Sequence, residues 1–486
     1  MATNSWEVNI KAPFNGLAPN WYQNDNATYG SATHFNSMVD CDLSDPSSIR
    51  QGFDFSALTV VNSFDSNAYE ELLDIIDKKV TATKTYAISS SYIWEITSTT
   101  LTAIAELTAG NTGKSIEYFD GELFYRFNTA SGSGIGKSDS ALTTFDDTWG
   151  ATTALATSNT FMTADYLPLH DNGVNLLIGN GQYLGVWDGT SLAMNEANYK
   201  AGSVVKDIDD TVFKTYVGVD RVSGGGVINI YSSDLAAIDD AGDPAQFGPI
   251  DTIKVNGTIG MIYVNNGIIY IGHRDDTDLD KNGNQFFNIS YIQGSQLSSP
   301  LKTVGGEMPT YGQYSWFRGF LTFISSEIIY QIGSASDSET GIIIYPIGSV
   351  TGATSIATPF TNLIVSNATE IVKNDGFSLD SEATTLNYNC SSVGYLGNID
   401  GILIRTNALA SDAGCLVTII GNKGASGYSE AFIISGVDKT LFVFKGFSMV
   451  DLESFSINID WATGSATNNC EIGEIYIIGS TKEIIA

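Results

Sequence analysis

From about residue 83 onward the chain repeats one small unit: an alternating apolar run, a turn of Gly, Asn, Asp or Ser, and a second run that ends on aromatics. A period of two marks strands with one buried face, and paired runs around a tight turn read as hairpins. The unit stands at 85–104 (TYAISSSYIWEITSTTLTAI), 115–127 (SIEYFDGELFYRF), 181–194 (GQYLGVWDGTSLAM), 260–272 (GMIYVNNGIIYIG) and 316–333 (WFRGFLTFISSEIIYQIG). Asp120-Gly121, Asp188-Gly189, Asn266-Gly267 and Arg318-Gly319 mark the turns, and Ser89-Ser90-Ser91 takes that place in the first unit. With a related segment at 227–238, residues 56–360 hold five to seven such units. None can bury both faces alone, which predicts an all-β chain with a β-propeller of five to seven blades. The run 53–62 would supply a strand that closes the ring against the last blade. A pair of stacked sandwiches is the competing reading, since ordinary hairpins also repeat irregularly.

The flanks differ in pattern. Residues 361–486 carry longer alternating strands, such as 401–409, 440–447 and 454–461, with Phe442, Phe444, Ile457 and Ile459 in phase. They predict a jelly-roll-like β-sandwich. Residues 1–55 are rich in Asn, Pro, Gly and Asp and read as an extended N-terminal arm whose Trp21 and Tyr22 dock on the body or on a neighbouring subunit. One helix is predicted near 66–80, where Tyr69, Leu72, Leu73, Ile76 and Val80 follow helical spacing behind Ser66 or Asn67 as a cap.

Charge narrows the function. With 54 acidic against 23 basic residues the net charge is −31, a surface that repels phosphate and anionic lipid. Specific nucleic-acid binding and membrane insertion are therefore not expected. The N-terminus lacks the basic and apolar regions of a secretory signal, and Cys41, Cys390, Cys415 and Cys470 share no metal-ligand or disulfide-framework spacing. The reading is a protein made in a cytoplasm.

Catalytic signatures are sparse. His34, His170 and His273 fall in unrelated segments, and no zinc, phosphate-loop or nucleophile-elbow motif is present. SGSGIGK at 131–137 has glycines without phosphate-loop spacing and reads as a flexible loop. Asp146-Asp147-Thr148-Trp149 approaches a sialidase-type turn but lacks its serine and central glycine. One segment has metal chemistry: Asp278, Asp280 and Asn282 alternate ahead of Gly283, the opening of a calcium loop. Ile289 stands where the bidentate Glu of a full loop belongs, so a structural Ca²⁺ site and a solvated acidic turn are the two readings. No other cofactor is expected.

The stretch 227–272, with Tyr231, the segment Asp243-Pro244-Ala245-Gln246-Phe247 and a hairpin whose second strand reaches Tyr270, resembles tail propellers of tailed bacteriophages. The stretch from Tyr311 through Trp316 to Tyr330 is similar to a hairpin in hub or nozzle proteins of short-tailed phages. The resemblance implies a structural virion protein that assembles into a homo-oligomeric ring and contacts other tail or portal proteins, with no catalytic residues. A carbohydrate-binding adhesin is the alternative, with Tyr388, Tyr395 or Trp461 of the sandwich stacking on a host-surface glycan; core positions are the competing and favoured reading of these three. A glycan-degrading propeller enzyme ranks third.

Overall fold

The computed structural model describes residues 5–11, 35–44, 47–152, 161–162, 164–221, 224–232, 249–265, 267–274, 287–294, 296–298, 301–302, 307–334, 342–390, 395–423, 426–446, 449–462 and 464–483. Nearly all regular structure among them is strand, and the one helical element is the turn Trp149–Thr152. Seven antiparallel sheets follow one another around a central channel, numbered here as blades 1 to 7 in chain order. Their innermost strands are Leu72–Ile75, Thr112–Phe119, Leu169–Asp171, Val204–Thr211, Thr258–Asn265, Tyr314–Phe317 and Ala353–Ala357. The last lies against the first, so the ring is closed.

The chain closes it with a strand from its own N-terminal side. Phe53–Ala57 pairs antiparallel with Ile371–Phe377 as the outermost strand of blade 7, and Thr59–Val61 then runs parallel to Thr100–Thr102 of blade 1. Ring closure thus joins residues more than three hundred positions apart. The five hairpin units read from the sequence fall one each in blades 1, 2, 3, 5 and 6, and the described part of the related segment, up to Ser232, is a strand of blade 4. Asp120-Gly121 and Arg318-Gly319 form turns with both residues at positive φ, the conformation that follows the twist of a tight hairpin and that glycine adopts without strain.

Alternation sends the two faces of each blade into two different interfaces. Leu123, Tyr125 and Phe127 pack toward blade 1, whereas Phe124 packs with Ile178 and Trp187 of blade 3. Leu72, Ile75 and Trp94 of blade 1 pack with Ile364 and Ile371 of blade 7. Beyond the ring, two sheets form the sandwich: Ser5–Lys11, Ile472–Glu483, Tyr395–Thr406 and Leu441–Lys445 in one, and Phe35–Val39, Glu382–Thr385, Ser454–Asp460, Gly414–Lys423 and Ser426–Ser435 in the other. Phe53, Phe317, Tyr345 and Ile347 of blades 6 and 7 share one core with Val417, Ile457, Trp461 and Ile477 of the sandwich. Propeller and sandwich are therefore one packed body. All four cysteines are buried there as free thiols.

Four expectations are corrected. No helix forms at 66–80: Ser66 and Asn67 adopt positive φ in a turn, and Leu72–Ile75 is a strand. The segment mimics helical spacing because it serves two interfaces, Leu72 and Ile75 facing blade 7 while Ile76 and Val80 face blade 2. The sequence 131–137 is no loop, since Gly132–Ser138 is the third strand of blade 2. Gly134 and Gly136 lie under the rings of Phe127 and Tyr125, where a Cβ would collide. The boundary at 361 falls inside blade 7, which extends to Phe377. Within 1–55, Ser5–Lys11 and Phe35–Val39 are strands of the sandwich and not part of an extended arm, and Phe53 already belongs to the propeller. Trp21 and Tyr22 lie outside the described residues.

Phe53 stands where ring closure and the shared core meet, edge-on to Phe317 at 5.5 Å. Phe53→Ala is expected to cost about 3–5 kcal/mol and to lower the unfolding midpoint of propeller and sandwich together. Urea unfolding followed by intrinsic fluorescence and far-UV circular dichroism checks this. Two separated transitions, only one of them shifted, would contradict a common core.

Candidate functional site

An innermost propeller strand has a neighbour on one side only, so its other edge turns backbone N–H and C=O groups toward the next blade or the channel. Leaving such groups buried and unpaired is costly. Here carboxylates from one blade accept the free N–H groups of the next. Asp74 of blade 1 accepts from Ile116 of blade 2 at 2.9 Å. In blade 4, Asp207 accepts from Ile262 and Asp209 from Val264, both at 2.6 Å, and Asp220 accepts from Ile259 at 2.8 Å. Asp77 accepts the Thr358 N–H of blade 7 at 2.5 Å and the Ser315 hydroxyl of blade 6 at 2.8 Å. Period two explains the pairing: Asp207 and Asp209 share one strand face, as do the residues they bond, 262 and 264.

Asp74, Asp77 and Asp209 line a channel cavity of about 270 Å³ to which every blade contributes, together with Glu117, His170, Tyr263, Tyr311, Tyr314 and Ile356. Lys78 bridges Glu117 at 3.0 Å and Asp171 at 3.1 Å, tying blades 1, 2 and 3. Tyr314 donates to Asp207 at 2.5 Å. His170 Nε2 lies 2.7 Å from Asp210 and 3.8 Å from Asp209 across the interface of blades 3 and 4. These three are close enough for their ligand atoms to share one cation, although His170 and Asp210 already satisfy each other as an ion pair.

Burial sets the titration. It pushes Asp74 and Asp77 up to about 7 and Asp207 to about 8, against the pull of the hydrogen bonds they accept. Asp209 rises to about 6, again through burial, with His170 holding it lower. Burial would lower His170, but the hydrogen bond to Asp210 and the charges of Asp209 and Asp210 outweigh it and raise the imidazole to about 9.

The sequence pointed elsewhere. Asp278, Asp280 and Asn282 lie outside the described residues, as does His34. His273 bonds the Asn256 carbonyl and Ser290 inside blades 4 and 5, a packing position. Asp147 accepts from Thr108 and Tyr125, and Asp146 closes its own turn onto Thr148. Trp461 is fully buried and Tyr388 nearly so, which removes both as surface platforms for a sugar. The side chain of Tyr395 lies outside the described residues. The one local sign of the channel acids is Asp207-Ile208-Asp209, two carboxylates on one face of the strand Val204–Thr211.

For the pH dependence, each raised group binds a proton in the fold at a pH where the unfolded chain has released it. The contribution of Asp74, Asp77 and Asp207 is complete below about pH 4 and is lost as pH climbs through the values they reach in the fold. That of His170 has the same sign and is lost as pH rises from about 6.5 toward its raised value. The unfolding free energy is expected to fall between pH 5 and 9, with Asp207→Asn flattening the slope. Urea titrations across that range check it, and a profile that rises with pH would contradict the assignment.

No family model matches the chain, and no curated protein does. Among solved structures it is similar to the exo-β-1,3-galactanase of Phanerochaete chrysosporium at 8% identity and a TM-score of 0.31, covering 87% of this chain and 100% of that one. It is similar to BamB from Moraxella catarrhalis at 10% identity and a TM-score of 0.40, with coverage of 70% and 92%. The WD40 domain of Neurospora crassa Pan2 aligns at 7% identity and a TM-score of 0.43, with coverage of 66% and 95%. Likenesses this distant carry no functional argument.

Proposed function

We propose that the protein is a structural component of a bacteriophage tail, of hub or nozzle type, that works by packing against copies of itself and other virion proteins rather than by catalysis. One observation carries this reading. The consecutive strands Ser426–Ser435 and Leu441–Lys445, which belong to the two facing sandwich sheets, and the connection between them expose Ile433, Val437, Leu441 and Val443 at 64, 58, 47 and 54%. Four large apolar side chains exposed within eleven residues, at the edge where the two sheets meet through Phe432 and Phe444, mark a region that another protein covers. Each strand is also the last of its sheet, so the backbone edge there is open to pairing.

Supporting features point the same way. The shared core makes propeller and sandwich a rigid building block. The channel carboxylates hold the ring closed, which gives them a structural task. Lys439 and Lys445 balance Glu430 and Asp438 along these strands, so in a chain of net charge −31 the region is locally neutral and repels an acidic neighbour less. An acidic tube wall would also keep passing DNA from sticking.

The purified full chain is expected to form an oligomer of fixed size by mass photometry and a ring in negative stain. Ile433→Asp with Val443→Asp is expected to yield a folded protomer with unchanged circular dichroism and at least tenfold weaker association. A wild-type chain that stays monomeric at micromolar concentration defeats the assembly reading. Absence of its peptides from purified phage particles defeats the virion assignment.

A further inference from the structure

Arg126 sits in the second strand of blade 2, Glu122–Thr129, and no part of it is exposed. Alternation places it on the face shared with Phe124, which packs among Ile135, Ile178 and Trp187 in the interface with blade 3. An arginine has five N–H donors and a permanent charge. Here Nη2 donates to Ser133 Oγ at 3.0 Å and to Asn180 Oδ1 at 3.5 Å, and the guanidinium carbon lies 5.7 Å from the centre of the Phe161 ring. Nε and Nη1 have no partner among the described residues.

Both acceptors are neutral and already engaged, Ser133 donating to the Met162 carbonyl and Asn180 accepting the Met162 N–H. No described carboxylate pairs with Arg126, and residues 153–160, which lead into Phe161, contain neither Asp nor Glu. The chain treats its other sheltered cations differently: Arg50 meets Asp42 at 2.9 Å and Lys78 meets Glu117 and Asp171. With 54 acidic residues available, the missing partner is no shortage of acid. A buried charge without a counter-charge is strongly destabilising, so proteins either pair it or bind something that does. Asn128, two residues along on the same face, has its Oδ1 unpartnered as well. A water joining Asn128 to one Arg126 N–H would satisfy that oxygen but would bring no charge.

We infer that the interface of blades 2 and 3 holds a small monovalent anion of halide size on the Nε–H and Nη1–H edge of Arg126. The closed setting excludes phosphate esters and carboxylate ligands, which would need an opening to solvent. Chloride is the ion of this class that ordinary solutions supply. The site is independent of the assembly reading, and its effect falls on the stability of the folded chain.

The test uses the full chain in thermal melts at constant ionic strength, exchanging sodium gluconate for sodium chloride. Gluconate is too large to enter. The melting temperature is expected to rise by about 1–3 °C and to level off as the site fills, whereas Arg126→Met shows no such rise. Equal chloride responses in both proteins, or none in the wild type, overturn the proposal. Should Arg126→Met fail to fold, crystals of the wild-type chain grown in sodium bromide decide the matter. An anomalous bromide peak within about 3.5 Å of Nε or Nη1 supports it, and density accounted for by water alone overturns it.

Discussion

Every blade of this ring begins with a strand that has a partner on only one side, and the backbone on its other side must be satisfied across a blade boundary. Asp74, Asp77, Asp207, Asp209 and Asp220 do this by accepting N–H groups from neighbouring blades. Ser115 does the complementary job, donating its hydroxyl to the Leu167 carbonyl that leads into blade 3. At the closure, Ser366 accepts the Leu72 N–H and Ser355 donates to the Leu72 carbonyl. Apolar packing between blades is non-directional and would tolerate slippage. The polar bonds fix which residue of one blade faces which residue of the next, and ring closure through Phe53–Ala57 relies on that register.

The same placement explains the electrostatics of the channel. Carboxylates held away from water resist ionisation, and neighbouring acids add a little to the effect, so their proton affinity rises toward neutrality. Lys78 and His170 offset part of the crowding by bridging blades 1 to 4. A cluster of acids with raised proton affinity is also what a hydrolase uses, and a perturbed pKa alone does not distinguish the two roles. Here the acids that rise most are also bonded to neighbouring backbone, which gives them a structural task.

Much of the architecture was legible in the sequence, for a physical reason. A blade buries two faces through short alternating strands, so each hairpin writes its period into the chain, and the units at 85–104 through 316–333 each mark one blade. The closing strand at 53–62 was readable because an apolar run stood alone before the repeats. Blade 7 was hidden, since 353–377 carries no aromatic-ended hairpin and blends into the sandwich strands that follow. The strand at Leu72–Ile75 was misread because serving two interfaces imitates helical spacing. The role of the channel acids stayed hidden, since even the pair Asp207 and Asp209 on one strand face acquires its task only from the partner blade. Gly134 and Gly136 likewise looked like loop residues until the rings above them were placed.

The central claim is that side-chain carboxylates stand in for missing strand partners along the channel. Native-state hydrogen exchange at single-residue resolution reads this directly at the amides of Ile116, Ile259, Ile262 and Val264. If the carboxylates seal the ring, these amides exchange as slowly as those inside the hairpin ladders of the same blades. Exchange at the rate of exposed loop amides, with the ladders still protected, would mean that the innermost edges are open and that the ring is held by apolar packing alone.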